Sequence, residues 1–374
     1  MAGIYIHIPY CRQACRYCDF HFVVSVWQKK ELLPIILKEI ELRKNYLDEE
    51  LVSSIYFGGG TPSILEKGEI ESILETIRRF YRVSGDVEIS FEANPEDLKM
   101  EYLLNLRKTG INRLSIGIQS FQNSDLELMH RIHSSEQAII AVKDAQKAGF
   151  DNISIDLIYG IPRQDAGVWE KNLDTALSLG IQHFSAYHLT YETGTIFDHW
   201  VKKGRIKPVQ EEESILQFKT LIERARNKGY IHYEISNLSL PGFVSRHNSS
   251  YWHQQKYLGV GPSAHSYNTK SRSWNFKSNK KYEENFLSET DYFETEKLTE
   301  NDHYNEFVMM RLRLIAGLSL MEIKDRFGIE YQNYFSTQIN KYVRSGHMEV
   351  TGDNCRLSED GIFIADHIIS EVFK

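Results

Sequence analysis

The sequence predicts an α/β fold: a partial (β/α)6 barrel, then a mixed sheet extension, then a mainly helical, winged-helix-like C-terminal domain. Three observations predict it. Strand-like and helix-like segments alternate six times before residue 230, the pattern of a parallel sheet with helical crossovers. Glycines stand where helix C-caps are expected, at Gly110, Gly149, Gly180 and Gly229. Chemistry-bearing residues gather at the C-terminal ends of the strands, where such folds build their sites. Six units fall short of a closed barrel of eight, so the barrel is expected to be open.

The elements follow in order. Residues 3–8 (GIYIHI) alternate and are rich in Ile and aromatics, which predicts a strand ended by Pro9. Leu32, Leu33, Ile36 and Ile40 are helix-spaced and predict a helix over 28–46. Further strands are expected at 53–57, 86–94, 113–120, 152–160 and 181–189. Helices are expected at about 66–81, 96–109, 134–148, 166–179 and 211–228. The barrel is assigned to residues 1–230 and the extension to 231–299. Within the extension, RHNSSYW (246–252) and YLGVGPSAHSY (257–267) are dense in aromatics, His and Gly. Residues 270–300 are polar and rich in Lys and Glu, which predicts a surface linker with one helix. The C-terminal domain, 300–374, is expected to hold helices at 301–316, 319–327 and 331–345, a hairpin at 348–358 and a last helix at about 360–373.

Composition narrows the function. The 374 residues are 41% hydrophobic, enough for two or three cores. Formal net charge is 44 − 51 = −7, which argues against nucleic acid as a partner. Helix 331–345 agrees, offering Lys341 and Arg344 where phosphate binding asks for a run of cations. Three of the four cysteines are clustered, which points to metal binding in a reducing compartment; Cys355 reads as a bystander. No apolar run approaches a membrane span, and no signal peptide is evident. The expected location is cytoplasmic, with peripheral membrane contact and a homodimer left open.

The clustered thiols are Cys11, Cys15 and Cys18, spaced C-x3-C-x2-C, with Tyr17 directly before the last. Iron–sulfur clusters are normally held by four Cys, so three on one loop leave a metal corner open. The alternative is a Cys3His zinc site with His7 or His21 as fourth ligand. A second motif, Gly58-Gly59-Gly60-Thr61-Pro62, ends the strand at 53–57. Glycines there let backbone approach a ligand with no Cβ in the way.

Together these motifs resemble the radical S-adenosylmethionine (SAM) superfamily, and along most of the chain its oxygen-independent coproporphyrinogen III oxidase-like group. The resemblance implies a 4Fe–4S cluster on the three thiolates, with SAM chelating the open iron through its amino and carboxylate groups. It also places SAM contacts at Tyr5, Gly59, Gly60, Thr61, Glu92, Gln119, Arg131 and Asp156. Each has a physical sense. Glu92 can accept from the amino group, Arg131 can fork onto the carboxylate, Asp156 suits a ribose diol, and Gln119 can bridge by either end. The alternative for Glu92 and Asp156 is an ion pair with Arg113 or Arg131.

Two features bear on the branch. The oxidase has a further Cys two residues after the third and an N-terminal extension ahead of the motif; here Phe20 stands at that position, and Cys11 is almost at the start. His247-Asn248-Ser249-Ser250-Tyr251-Trp252 instead matches the HNxxYW signature of the group's heme chaperone branch, which implies binding of heme and its delivery to acceptor hemoproteins. His247 is then the candidate axial ligand, with Tyr251 and Trp252 lining the pocket; the alternative is a packed aromatic corner around a hydrogen-bonded His. Ser245 and Arg246 stand where some members have a Cys, and His265 is a second candidate. The rival function is an oxidase-type enzyme acting on a tetrapyrrole. The last domain resembles the HemN-type C-terminal domain and is expected to cover the barrel mouth or to recruit a partner.

Overall fold

The computed structural model describes residues 1–25, 28–162, 164 and 167–374. The barrel elements run β1 (Ala2–Ile8), α1 (Lys29–Leu42), β2 (Val52–Gly59), α2 (Lys67–Phe80), β3 (Val83–Ala93), α3 (Met100–Thr109) and β4 (Arg113–Gln119). Then come α4 (Asn123–Met129), α5 (Ser135–Lys147), β5 (Ile153–Tyr159), α6 (Val168–Ser178), β6 (His183–His188), α7 (Ile196–Lys202) and α8 (Glu211–Asn227). The short helices α4 and α7 were not expected, and the expected start of α6 at 166 lies outside the described residues. The extension carries β7 (Ile231–Glu234), β8 (Asn237–Ser239), α9 (Arg246–Trp252), β9 (Tyr257–Val260), β10 (His265–Tyr267), β11 (Ser271–Asn275), α10 (Asn279–Leu287) and β12 (Phe293–Lys297). Last come α11 (Glu300–Leu312), β13 (Leu318–Ser319), α12 (Leu320–Phe327), α13 (Ile329–Arg344), β14 (Met348–Thr351), β15 (Asn354–Leu357) and α14 (Ala365–Glu371).

Strands β1 to β6 lie side by side in sequence order, each parallel to the next. The four expected cap glycines all have positive φ, from +63° at Gly180 to +100° at Gly110, where a side chain would be strained. One face of these strands is apolar. Ile4, Ile6, Ile55, Phe57, Phe91, Leu114, Ile116, Ile153, Ile155 and Phe184 are fully buried in the core shared with the helices. The alternate residues are polar and bond one another inside the barrel. Tyr56 donates to Glu92 at 2.8 Å, Ser115 to Asp156 at 3.2 Å, and Ser154 meets His183 at 2.7 Å. The hydrophobic effect thus holds the outer face, and the inner face is left for polar groups.

The extension widens the sheet on both sides, to twelve strands in the order β12-β11-β10-β9-β1-β2-β3-β4-β5-β6-β8-β7. The chain leaves the β6 edge through β7 and β8, passes as α9 beneath the barrel, and rejoins at the β1 edge. The expected linker at 270–300 is therefore wrong in part: it supplies β11 and β12 as well as α10. Glu39 of α1 explains why this stretch is held. Its buried carboxylate accepts from Tyr282 at 2.6 Å, Asn275 at 2.8 Å and the Gly261 N–H at 2.8 Å, with Arg43 at 3.4 Å. Burial raises its pKa, and Arg43 leads the groups that oppose the rise. Such a carboxylate is tolerated inside because its lone pairs are satisfied.

The last domain has its own core, built on Tyr304, Phe307, Ile323, Phe335, Ile339 and Ile368. Helices α12 and α13 followed by the β14–β15 hairpin give the winged-helix-like order. Backbone bonds tie it to the β7–β8 edge: Ile235 N–H donates to Arg313 at 3.1 Å and Ile315 N–H to Tyr233 at 3.2 Å.

Candidate functional site at the barrel mouth

Pro9 stops β1, and the loop that follows carries all three clustered thiols over the C-terminal ends of the strands. A cavity of about 610 Å³ opens there, and Cys11, Cys15, Tyr17 and Cys18 form one wall of it. Gly59, Gly60, Thr61, Glu92, Gln119, Arg131 and Asp156 also line it. Eleven residues spread over the first 156 of the chain thus face one space.

The thiol wall is braced by donors. Thr61 Oγ1 donates to Cys11 Sγ at 3.2 Å, and Arg131 Nη1 to Cys15 Sγ at 3.4 Å. Burial pushes the Cys11 pKa up to about 11, with Thr61 opposing, and the Cys18 pKa up to about 12. Cys11 and Cys18 are thus held as thiols until a cation is present. No three His, Cys, Asp or Glu side chains among the described residues close round a single metal ion. A Cys3His zinc site would need that closure, whereas a cluster spreads its ligands over separate iron corners. The proposed zinc partners are also engaged. His7 Nδ1 meets Tyr5 OH at 3.2 Å and its Nε2 the His21 carbonyl at 3.1 Å, while His21 Nε2 meets Asn279 Oδ1 at 2.7 Å.

The glycine turn works differently from the expectation. A Cβ at Gly60 would stand 2.8 Å from the Ile8 carbonyl and from the backbone N and O of Tyr10, and one at Gly59 2.7 Å from the His7 ring. The missing side chains therefore let the turn lie against β1 and the root of the cysteine loop. This seats the loop beside the cavity.

The charged groups are poised and unpaired by ions. Glu92 accepts from Tyr56, and burial raises its pKa to about 7, with Asp156 adding to the rise. Asp156 is pushed up to about 6 by burial, against Ser185 and Ser115. The expected alternative of an ion pair with Arg113 or Arg131 is not formed among the described residues. Arg131 is instead clamped by Asn94 Oδ1 at 2.6 Å and the Gly117 carbonyl at 2.9 Å, and its Nε is buried without a partner. Gln119 sits at φ +69° in a bulge between β4 and β5, an uncommon conformation for a non-glycine residue. Such strain collects where a side chain must be aimed. An orphaned donor, two acids whose pKa values burial has raised and a strained amide suit a ligand with carboxylate, amino and hydroxyl groups.

Tyr5 does not line the cavity. It stacks on Tyr56 with ring centroids 6.0 Å apart and bonds His7, so it braces the wall. Sequence reasoning missed Tyr56, on the neighbouring strand β2, and Asn94, two residues past Glu92. It also missed Arg313 and Asp366, which line the mouth from the last domain and pair with each other at 2.7 Å. No local signal marks those two.

The HNxxYW segment takes the alternative form, a packed aromatic corner. It forms α9 and closes the N-terminal end of the barrel, where His247 stacks 5.0 Å from Tyr56, the donor to Glu92. His247 is 1% exposed. Its Nδ1 meets Ser54 Oγ at 2.9 Å and its Nε2 meets Tyr251 OH at 2.9 Å. Burial lowers its pKa to about 3. Both ring nitrogens are taken, so neither is offered to a heme iron, and Tyr251 is spent holding the ring. Trp252 ends the same helix, and its indole N–H is buried without a partner. Glu88 caps the segment by accepting from the N–H groups of Arg246 and His247, each at 3.1 Å. His265 is exposed by comparison and lies on β10 against Trp274.

Residues 5–189 match the radical SAM superfamily model and residues 298–364 the HemN C-terminal domain model. Over 372 residues the chain is 31% identical to heme chaperone HemW of Mycobacterium tuberculosis, covering 98% of this chain and 93% of the relative. It is 30% identical to heme chaperone HemW of Bacillus subtilis, covering 98% of each. The solved structure of coproporphyrinogen III oxidase (HemN) from Escherichia coli superposes with a TM-score of 0.86, covering all of this chain and 90% of that one at 23% identity. The chain therefore belongs to the radical SAM superfamily, whose members the cysteine wall and the strand-end cavity define. Its place there is the HemN-like group, among relatives that carry the name HemW. The family implies a 4Fe–4S cluster and SAM, and the donor set at the mouth fits both.

Proposed function

We propose that this protein binds heme and delivers it to hemoproteins, on a barrel that holds a 4Fe–4S cluster and SAM. The observation that carries the heme part is similarity over 98% of the chain to proteins named heme chaperone HemW. When bound, the cluster supplies an iron corner that chelates the amino and carboxylate groups of SAM. Cys11, Cys15 and Cys18 hold that cluster, with Arg131 offsetting thiolate charge. The free Nε of Arg131 supports a carboxylate contact, and Glu92, once ionised, an amino contact. Gln119 and Asp156 reach the remaining polar groups, and Gly59, Gly60 and Thr61 shape the floor. Tyr5 and Tyr17 keep the surrounding wall rigid. Three thiols that must stay reduced favour a cytoplasmic setting. No helix is long and apolar enough to cross a membrane, among the described residues.

The test is an anaerobic hemin titration of the reconstituted protein, read by visible absorption. Saturable binding at about one heme per chain is expected. Absence of saturable binding, together with conversion of coproporphyrinogen in the presence of SAM and a reductant, would replace this reading with the oxidase-type enzyme.

A further inference from the structure

We propose that heme sits in the groove between α8 and the C-terminal domain, with the imidazole of His232 on its iron. The inference rests on the heme-binding reading above and adds the place. The groove measures about 780 Å³, within the roughly 300–1,000 Å³ of small-molecule sites. Apolar and aromatic side chains face it from two sides: Phe218 and Ile222 of α8, and Leu357, Ile362 and Phe363 of the last domain. Phe218 meets Phe363 edge-on at 5.3 Å and His232 edge-on at 5.7 Å. Ile231, next in sequence to His232, is 47% exposed. A flat, apolar macrocycle is the kind of ligand that such walls cover.

His232 carries the chemistry. Its Nε2 lies 3.2 Å from the Ile235 carbonyl oxygen. A carbonyl only accepts, so Nε2 bears the hydrogen and the lone pair is on Nδ1. Metal-bound imidazoles are commonly oriented in this way, with the second N–H on a backbone carbonyl. Burial lowers the His232 pKa, which favours the neutral, ligating form. His247, by contrast, has spent both nitrogens.

The rim suits the two carboxylates of heme. Lys219 pairs with Asp360 at 2.9 Å, Arg226 with Glu359 at 3.0 Å, and Arg356 with Glu349 at 2.7 Å. All six side chains are about half-exposed or more, and such pairs are worth on the order of 0–1 kcal/mol. A propionate can therefore exchange for Asp360 or Glu359 at little cost. Lys219 and Arg226 would then each face one propionate, while Arg356 stays on Glu349.

The experiment is the anaerobic hemin titration of the full reconstituted chain, read at the Soret band. Wild type is run beside His232→Ala and beside the surface double variant Lys219→Glu/Arg226→Glu. His232→Ala is expected to shift the Soret band and to weaken binding tenfold or more, with free imidazole restoring the band position. The double variant is expected to weaken binding several-fold with the band unmoved. Saturable wild-type binding matched in affinity and spectrum by both variants would overturn the groove assignment and leave the heme reading standing. Absence of saturable binding by wild type would overturn both.

Discussion

The two ends of the barrel are built from the same residue types and do opposite work. At the N-terminal ends of the strands, α9 packs His247 against Ser54, Tyr56 and Tyr251, and Glu88 caps the helix. His183 likewise has both ring nitrogens engaged, by Ser154 and by Tyr233 at 2.7 Å. At the C-terminal ends, Glu92, Asp156, Arg131 and Gln119 face open space, one with an orphaned donor and one in a strained backbone. The lesson is that His, Tyr and Glu mark a site only where the protein itself leaves their bonding capacity unspent. Gly3 makes the closed end concrete. A Cβ there would stand 3.2 Å from the His247 ring, so the plug is fitted to β1.

Breaking the open end should give the largest effect. Cys15→Ala should abolish the cluster, seen as loss of bound iron and of visible absorption after anaerobic reconstitution. Retained absorption would show that another group holds the metal. Breaking the closed end should cost stability instead. His247→Ala removes a stacked ring and leaves Ser54 and Tyr251 without their partner, a loss of about 3 kcal/mol in denaturant melts. The Soret band of bound heme should not move in that variant, and a shift would restore His247 as a ligand.

A pH series sharpens the comparison further. The folded protein holds the Glu92 proton up to about pH 7, whereas an unfolded chain releases it near the ordinary 4.5. Between those values the folded state binds more protons, so stability without ligand falls as pH rises. The span is at most about 3 kcal/mol, less where cavity water screens the charge. Glu92→Gln should flatten that slope in melts at several pH values. In the loaded protein, SAM affinity should rise through about pH 7 in wild type and lose that dependence in the variant. The smallest effect belongs to the lid of the mouth. Arg313→Ala breaks an exposed pair with Asp366 and should change the melting free energy by less than about 1 kcal/mol.

Much of this was legible in the sequence because its signals are local. The alternation of β1 to β6, the glycines at 110, 149, 180 and 229, and the C-x3-C-x2-C loop are each read within a few residues. Glu92, Gln119 and Asp156 stand at or near strand ends that can be counted, and the family resemblance assigned them to SAM. What was not legible depends on distance or on weak patterning. Strand β12 (FETEK) is an edge strand with four of its five residues exposed, so it reads as polar linker. Its neighbours are fixed by Glu39, more than 230 residues away. Arg313 and Asp366 reach the mouth only through tertiary packing. The HNxxYW segment shows the sharpest limit. Its residues were identified correctly, but the face that His247 presents is set by Ser54, 193 residues earlier, and no local pattern carries that.

The most direct test of the central claim is heme transfer. Protein loaded anaerobically with one heme would be mixed with an apo-hemoprotein separable by size, and the Soret absorbance of each fraction followed in time. The account predicts that heme leaves this protein and appears in the acceptor faster than free hemin does at the same concentration. Heme that stays with this protein, or reaches the acceptor no faster than free hemin, would contradict it.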